Sequence, residues 1–285
     1  MNAQPISESK RAFSLGLSPK TLITILITVI VFGGEWYYGA MGGYRKLFIT
    51  LGACAATEAV LSWFLLGRRP LLQSAYISGL SLSLLLRPQG DLIWPFLTAA
   101  ALSIGSKYVL RYRGKHLWNP SNFGLSILIL LAPAKVALLS HELGNDIWGN
   151  VVIWIVGLLV ASRAKVLHIT ATYAISFTLL AVLRALVVGT PIAAEIAPIT
   201  GPMYQLLCFF MLTDPPTTVS TKRGRIGVTI LIALVECGFR LANDFELPYA
   251  SLVAPAPPIV ALFVVGPIAL AGHLRATRPA VEPTR

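Results

Sequence analysis

The sequence predicts an all-α integral membrane protein of about ten transmembrane segments, arranged as two inverted five-helix repeats with one broken or partial helix in each. Three observations carry this. First, 55% of the 285 residues are hydrophobic, 12% are charged, and the mean hydropathy is +0.73. Apolar runs near the roughly 20 residues that a bilayer-spanning helix needs recur from end to end. Second, two apolar segments are too short to span, and each is the third apolar stretch of its half: 74–88 and 197–216. The first contains Ile77-Ser78-Gly79 and ends Arg87-Pro88; the second contains Ile199-Thr200-Gly201 and ends Asp214-Pro215-Pro216. Paired short segments interrupted by Gly or Pro mark inverted-repeat membrane folds whose broken helices meet at a midplane site. Third, with the N-terminus inside, Arg68, Arg69, Arg111, Arg113, Lys115, Arg163, Lys165, Lys222, Arg223, Arg225 and Arg275 all fall on the cytoplasmic side. Only Arg45, Lys46, Arg87 and Lys135 fall clearly outside, as the positive-inside rule requires.

The elements follow in order. Residues 1–20 form a polar cytoplasmic tail, because the run after them is full length and no small-residue cleavage site interrupts it. The first repeat covers 21–139, with spans near 21–41, 47–66, 91–110 and 121–139 and the short segment 74–88 among them. A short outer loop, 140–146, leads to the second repeat, 147–272, with spans near 147–166, 167–188, 225–242 and 249–271 around the segment 197–216. A second cytoplasmic tail, 273–285, ends the chain. Five passes per half is odd, so the halves have opposite orientation and both termini lie in the cytoplasm, as in a bacterial-type plasma membrane. Leu131-Ala132-Pro133-Ala134 and Val253-Ala254-Pro255-Ala256 hold similar places in the fifth and tenth spans. Orientation accounts for the net charge of +11, so the lipid bilayer is the implied partner and nucleic acid is not.

Ionisable residues at membrane depth are costly and mark ion or substrate paths. Glu58, Glu236 and Lys107 are the candidates. The alternative for the two carboxyls is an internal salt bridge or a group kept neutral by desolvation, and Lys107 can snorkel to the interface. Asp214 closes the second short segment, where it either accepts hydrogen bonds from the turn or faces a cavity lined by irregular backbone. Ser78-Gly79 and Thr200-Gly201 can expose backbone groups or simply allow close helix packing. Asn119 before Pro120 reads as a helix cap. Cys54, Cys208 and Cys237 lie in separate spans and form no disulfide framework or cluster. No metal-ligand motif, axial haem pair, phosphate loop or nucleophile elbow is present.

Trp118-Asn119-Pro120-Ser121-Asn122 and Leu212-Thr213-Asp214-Pro215-Pro216-Thr217-Thr218, followed by Arg223-Gly224-Arg225, resemble one membrane family. It comprises the Rnf-D component of Rnf-type electron-transport complexes and the Nqr-B component of the sodium-pumping NADH:quinone reductase. Ala55-Ala56-Thr57-Glu58-Ala59 is similar to the acidic second helix of that family, and the resemblance covers roughly 20–272. It implies a ten-helix inverted repeat, flavin, and coupling of electron transfer to ion movement beside other membrane subunits of a redox complex. The chain also departs from the family. Its outer loop after Lys135 lacks the Ser/Thr-x-Ala-Thr motif that carries covalent FMN, Thr200-Gly201-Pro202-Met203 replaces Ser-Gly-Ala-Thr, and Pro258-Ile259-Val260-Ala261 lacks the acid of Pro-Leu-Ile-Asp. The expectation is therefore a shortened, stand-alone relative without covalent FMN. It would transport an ion or small solute through the repeat cavity, with Glu58, Lys107 and Glu236 on the path. One alternative is an electron-transfer subunit of a larger oxidoreductase, holding non-covalent flavin (FMN or riboflavin) at Ser78, Gly79, Asn119, Thr200, Gly201, Thr213 and Asp214. The other is an accessory membrane protein of an enediyne-like natural-product pathway.

Overall fold

The computed structural model describes residues 19–39, 41–133, 135–138 and 147–277. The expected tail up to residue 18, the outer loop 140–146 and the end of the second tail, 278–285, lie outside the described residues. The chain is all-α: helices α1 (Pro19–Tyr38), α2 (Tyr44–Leu66), α3 (Leu72–Leu85), α4 (Trp94–Val109) and α5 (Pro120–Leu131) precede α6 (Ile147–Arg163), α7 (Leu167–Val188), α8 (Ile192–Ile196), α9 (Pro202–Leu206), α10 (Lys222–Asp244) and α11 (Pro257–Ala276). Four of them, α2, α7, α10 and α11, are long and apolar enough to cross a membrane.

Local chemistry sets the ends of these helices. Asn119 caps α5 by accepting from the Asn122 N–H at 3.1 Å, with Pro120 at the first helical position. Thr221 caps α10 through the Gly224 N–H at 3.1 Å. Gly67 ends α2 in the left-handed conformation, φ 57°, that a glycine adopts without strain.

The two short segments end differently: the first is an unbroken helix that passes into a strand, and the second changes helix type along its length. The first ends at Leu85 and continues as strand β1 (Leu86–Pro88). The second runs from α8 through a 3₁₀ turn, Ala197–Thr200, into α9 and then a π-helical stretch, Leu207–Met211. Two expected spans are shorter than the sequence suggests. The fifth stops at Leu131, because Pro133 cannot extend it, and Val136–Leu138 becomes a strand paired antiparallel with Leu86–Pro88. The tenth begins at Pro257 rather than near 249, after a 3₁₀ turn at Ala250–Leu252.

Helix α2 shows why this chain suits an apolar solvent. Its inward stripe is Leu47, Thr50, Cys54, Glu58 and Ser62, largely polar, while Phe48, Val60, Trp63 and Phe64 face outward. Helix α7 is apolar on both sides: Ile169, Tyr173, Phe177, Ala181 and Ala185 are buried, and Ile175, Leu179, Leu183 and Leu186 are exposed. In water, large exposed apolar stripes would drive association; against lipid they are solvated. Within the first set of helices α2 packs on α3 and α4, α4 on α5, and α1 on α3. Within the second, α7 packs on α10, α10 on α11, and α6 on α9. α1 meets α6, and α5 meets α11.

Candidate functional site

A cavity of about 620 Å³ opens between the two sets of helices. Its walls come from α1, α2, α3, the end of α4, the start of α5, the end of α6 and the π-helical stretch after α9. Both short segments therefore face one space: Ser74, Ile77, Ser78 and Ser81 from α3, and Leu206, Phe209, Phe210 and Met211 from the other. The π-helical turn is held in part by Thr170, whose hydroxyl donates to the Cys208 carbonyl at 3.1 Å, a typical way to satisfy a helix backbone that has left its regular ladder.

Of the residues singled out in the sequence, Glu58, Lys107, Ser78, Asn119, Thr213 and Asp214 converge on this cavity. Glu58 is buried, at 1% exposure, about two turns from the C-terminal end of α2. No charge within α2 balances it; Lys107 of α4 does, at 2.6 Å, rather than turning to an interface. The Tyr108 hydroxyl donates to Glu58 at 2.8 Å and the Leu71 N–H at 3.3 Å, while Lys107 also donates to Ser74 Oγ at 3.2 Å. Nearer the start of α5, Asp214 accepts from Asn119 Nδ2 at 3.0 Å and from Thr217 Oγ1 at 2.9 Å. Asn119 thus both caps its helix and ties the second short segment to it. Thr213 folds its hydroxyl back onto the Phe209 carbonyl at 2.5 Å.

The remaining predicted residues lie elsewhere. A Cβ on Gly79 would sit 2.8 Å from Leu51 Cδ2 and 3.3 Å from its Cα, so this glycine serves the close packing of α3 on α2. Thr200 bonds within its own turn, to the Ala197 carbonyl at 2.7 Å, and neither it nor Gly201 borders the cavity. Glu236 forms a separate buried centre. Tyr204 donates to it at 2.5 Å, Tyr173 donates to its other oxygen, and Arg240 approaches at 3.1 Å. Beside it a small cavity of about 10 Å³, room for roughly one water, is lined by Glu236 and Arg240 together with Arg184 and Glu195. Arg184 in turn grips Asp244 with two bonds, at 2.5 and 2.8 Å, and pairs with Glu195.

Sequence reasoning missed Tyr108, Ser74, Arg68, Arg111 and His116 on the cavity wall, and Tyr173 and Tyr204 around Glu236. Only Arg240, four residues after Glu236 on one helix face, had a readable signal. His116 sits in a hairpin of Arg111–Tyr112 and Lys115–His116, where burial and then the charges of Lys107 and Arg111 push its pKa down from 6.5.

The Glu58–Lys107 pair yields a direct prediction. Glu58→Gln and Lys107→Met should each destabilise the protein, and the double variant should lose less than their sum, with a coupling energy of about 0.5–3 kcal/mol. Thermal unfolding of all four proteins in one detergent measures it. Strict additivity would mean that the two groups do not interact.

The chain matches no protein-family model and no curated protein sequence.

Proposed function

We propose that this chain is a ten-pass inverted-repeat membrane protein of the Rnf-D type, the type shared with the Nqr-B component of the sodium-pumping NADH:quinone reductase. In this reading it carries an ion or small solute across the membrane through the cavity between its halves. The observation that carries the reading is that both short segments, the unbroken α3 and the discontinuous α9–π run, line the same 620 Å³ space. Discontinuous helices meeting at a repeat interface are how many secondary transporters build a central site. The pairing order supports the repeat: α2–α4–α5 in one half is matched by α7–α10–α11 in the other, and α1 on α3 by α6 on α9. Large apolar side chains exposed along α2 and α7, with Glu58 turned inward on α2, support the membrane setting.

The test is access. Ser78→Cys in a background with Cys54, Cys208 and Cys237 replaced by alanine puts a thiol on the cavity wall. In right-side-out and inverted vesicles, an impermeant maleimide should label it rapidly from the face that carries Arg68 and Arg111. A transported solute should change the side or the rate of labelling. A thiol unreactive from both faces would overturn the reading.

The walls also favour a second reading, an electron-transfer subunit with non-covalent flavin. Cavities of this size hold ligands of that class, and Tyr108, Phe209 and Phe210 offer aromatic faces. The absorption spectrum of gently purified protein, before and after denaturation and filtration, separates the two. Released flavin favours electron transfer, and colourless folded protein favours transport.

A further inference from the structure

The cavity carries its charges unevenly. Both carboxylates on its wall already have donors: Glu58 has Lys107, Tyr108 and the Leu71 N–H, and Asp214 has Asn119 and Thr217. Arg68 and Arg111 border the same space, both exposed, and neither forms an ion pair with a carboxylate among the described residues. Among the described residues the Arg111 side chain donates only to the Gly114 carbonyl, at 2.5 Å. They sit at one end, since Arg68 follows α2 and Arg111 follows α4, and the Glu58–Lys107 pair joins the C-terminal part of α2 to the last turn of α4. From there the wall runs along α3 through Ile77 and Ser81 to Leu84 and Leu85, a length of about 20 Å for a 14-residue helix. Ile27 and Phe209 complete an apolar lining at depth. The space is thus a long apolar slot with two guanidiniums free of carboxylate partners at its mouth, and guanidinium is the group best shaped to hold a carboxylate or phosphate by two parallel bonds.

We propose that the cavity takes an amphiphilic anion, with its carboxylate or phosphate held by Arg68 and Arg111 at the mouth and its apolar body lying along α3. This rests on the reading of the cavity as a solute site and names the chemistry of the solute. Two sources share that chemistry: a free small molecule from the water phase, and the headgroup of an anionic lipid whose chains occupy the slot. Lys107 is a third cation on the same wall, and a bound anion competes with Glu58 for it.

The experiment uses the full chain in phosphatidylcholine nanodiscs and three probes with one body: 4-butylbenzoate, 4-butylbenzamide and 4-butylbenzylamine. Binding is measured by calorimetry against empty discs. The benzoate should bind at least about tenfold more tightly than the amide, the scale of one charge-assisted contact, and the amine should bind worst. Arg68→Gln with Arg111→Gln should abolish the preference, and Arg68→Lys with Arg111→Lys should restore most of it. Arg69→Gln, which alters an exposed neighbour off the cavity wall, should leave it intact. Phosphatidylglycerol added to the discs distinguishes the sources. A tenfold loss of benzoate affinity that vanishes in the double Gln variant identifies lipid as the occupant, and unchanged affinity identifies a free solute; both support the anion site. Benzamide or benzylamine binding as tightly as benzoate overturns the anion assignment and leaves the solute cavity standing. An equal loss of preference in Arg69→Gln also overturns it, because general surface charge would then be the cause. Absence of saturable binding by all three probes in both kinds of disc overturns the proposal, while the Ser78→Cys labelling decides separately whether the cavity is a solute path.

Discussion

Glu236→Ala is expected to cost the fold about 3–5 kcal/mol, the range for breaking a buried ion pair from one side. The carboxylate is 1% exposed and receives bonds from Tyr173 of α7, Tyr204 of α9 and Arg240 of its own helix. Removing it leaves two hydroxyls short of an acceptor and a guanidinium with only the Tyr204 hydroxyl and the rings of Phe177 and Tyr204, 5.5 and 5.6 Å from its centre. Single hydrogen bonds between membrane helices average only about 0.6 kcal/mol, so the charge is the decisive term. Glu236→Gln, which keeps the shape and loses the charge, should fall between, at about 1–3 kcal/mol. Equilibrium unfolding in mixed micelles measures both. A loss under about 1 kcal/mol for alanine would mean that water reaches this centre and the cluster does not hold α7, α9 and α10 together.

Gly124→Val is expected to be nearly as damaging, for a steric reason. A Cβ there would lie 2.2 Å from Ser103 Oγ and 2.7 Å from the Ala99 carbonyl oxygen. The serine could rotate away, but the backbone of α4 could not, so α4 and α5 must separate. Overpacking of this kind costs about 1–3 kcal/mol, and the branched side chain puts it at the upper end. The displacement would also move Asn119, just ahead of α5 and little more than one turn away, off Asp214. Gly105→Ala makes the control: it lies on α4, a Cβ there meets nothing within 4 Å, and replacing a helical glycine by alanine gains roughly 0.5–1 kcal/mol. If both variants unfold alike, the contact at Gly124 is not what sets the helix spacing.

These two positions show what the sequence carries and what it leaves out. The helices are legible because their signals are local: apolar runs, prolines at helix starts, the Asn119-Pro120 cap. One break in the second short segment is legible for the same reason, as Gly201-Pro202 stands where the 3₁₀ turn gives way to α9; the π-helical stretch after it carries no such mark, and α3 runs unbroken through Gly79. The fifth helix reads too long because Val136-Ala137-Leu138 is as apolar as a helix would be, and only the distant strand Leu86–Pro88 gives it another use. Within the site, Glu58 and Asp214 stand out because acids in apolar surroundings are conspicuous. Their partners do not. Lys107 is 49 residues from Glu58, and Asn119 is 95 from Asp214, and neither spacing follows from any helical period. Tyrosines are harder still, since Tyr173 and Tyr204 look like ordinary apolar filling until a carboxylate is found between them. Glycine is ambiguous in one place: Gly79 suggests either a backbone bared to a ligand or close helix packing, and its missing side chain makes room for Leu51.

The two buried carboxylates have an electrical consequence. Glu58 lies eight residues before the end of α2 at Leu66, and Glu236 eight before the end of α10 at Asp244, about 12 Å in each case. The helices run in opposite directions, because the hairpin that follows α4 on Glu58's side touches the Pro215–Thr217 turn just ahead of α10. In the proposed bilayer setting one acid is therefore shallow from the inner water and the other from the outer. A full crossing by one charge at 100 mV is worth about 2.3 kcal/mol. A proton that reaches either acid from its nearer face crosses roughly a third of the layer and does under about 1 kcal/mol of electrical work. Most of the voltage is left to the packed protein beyond each acid, which on Glu58's side begins only at the floor of the cavity by Leu84 and Leu85, so reorganisation of that layer, rather than protonation at either acid, would carry the greater part of any response to membrane potential.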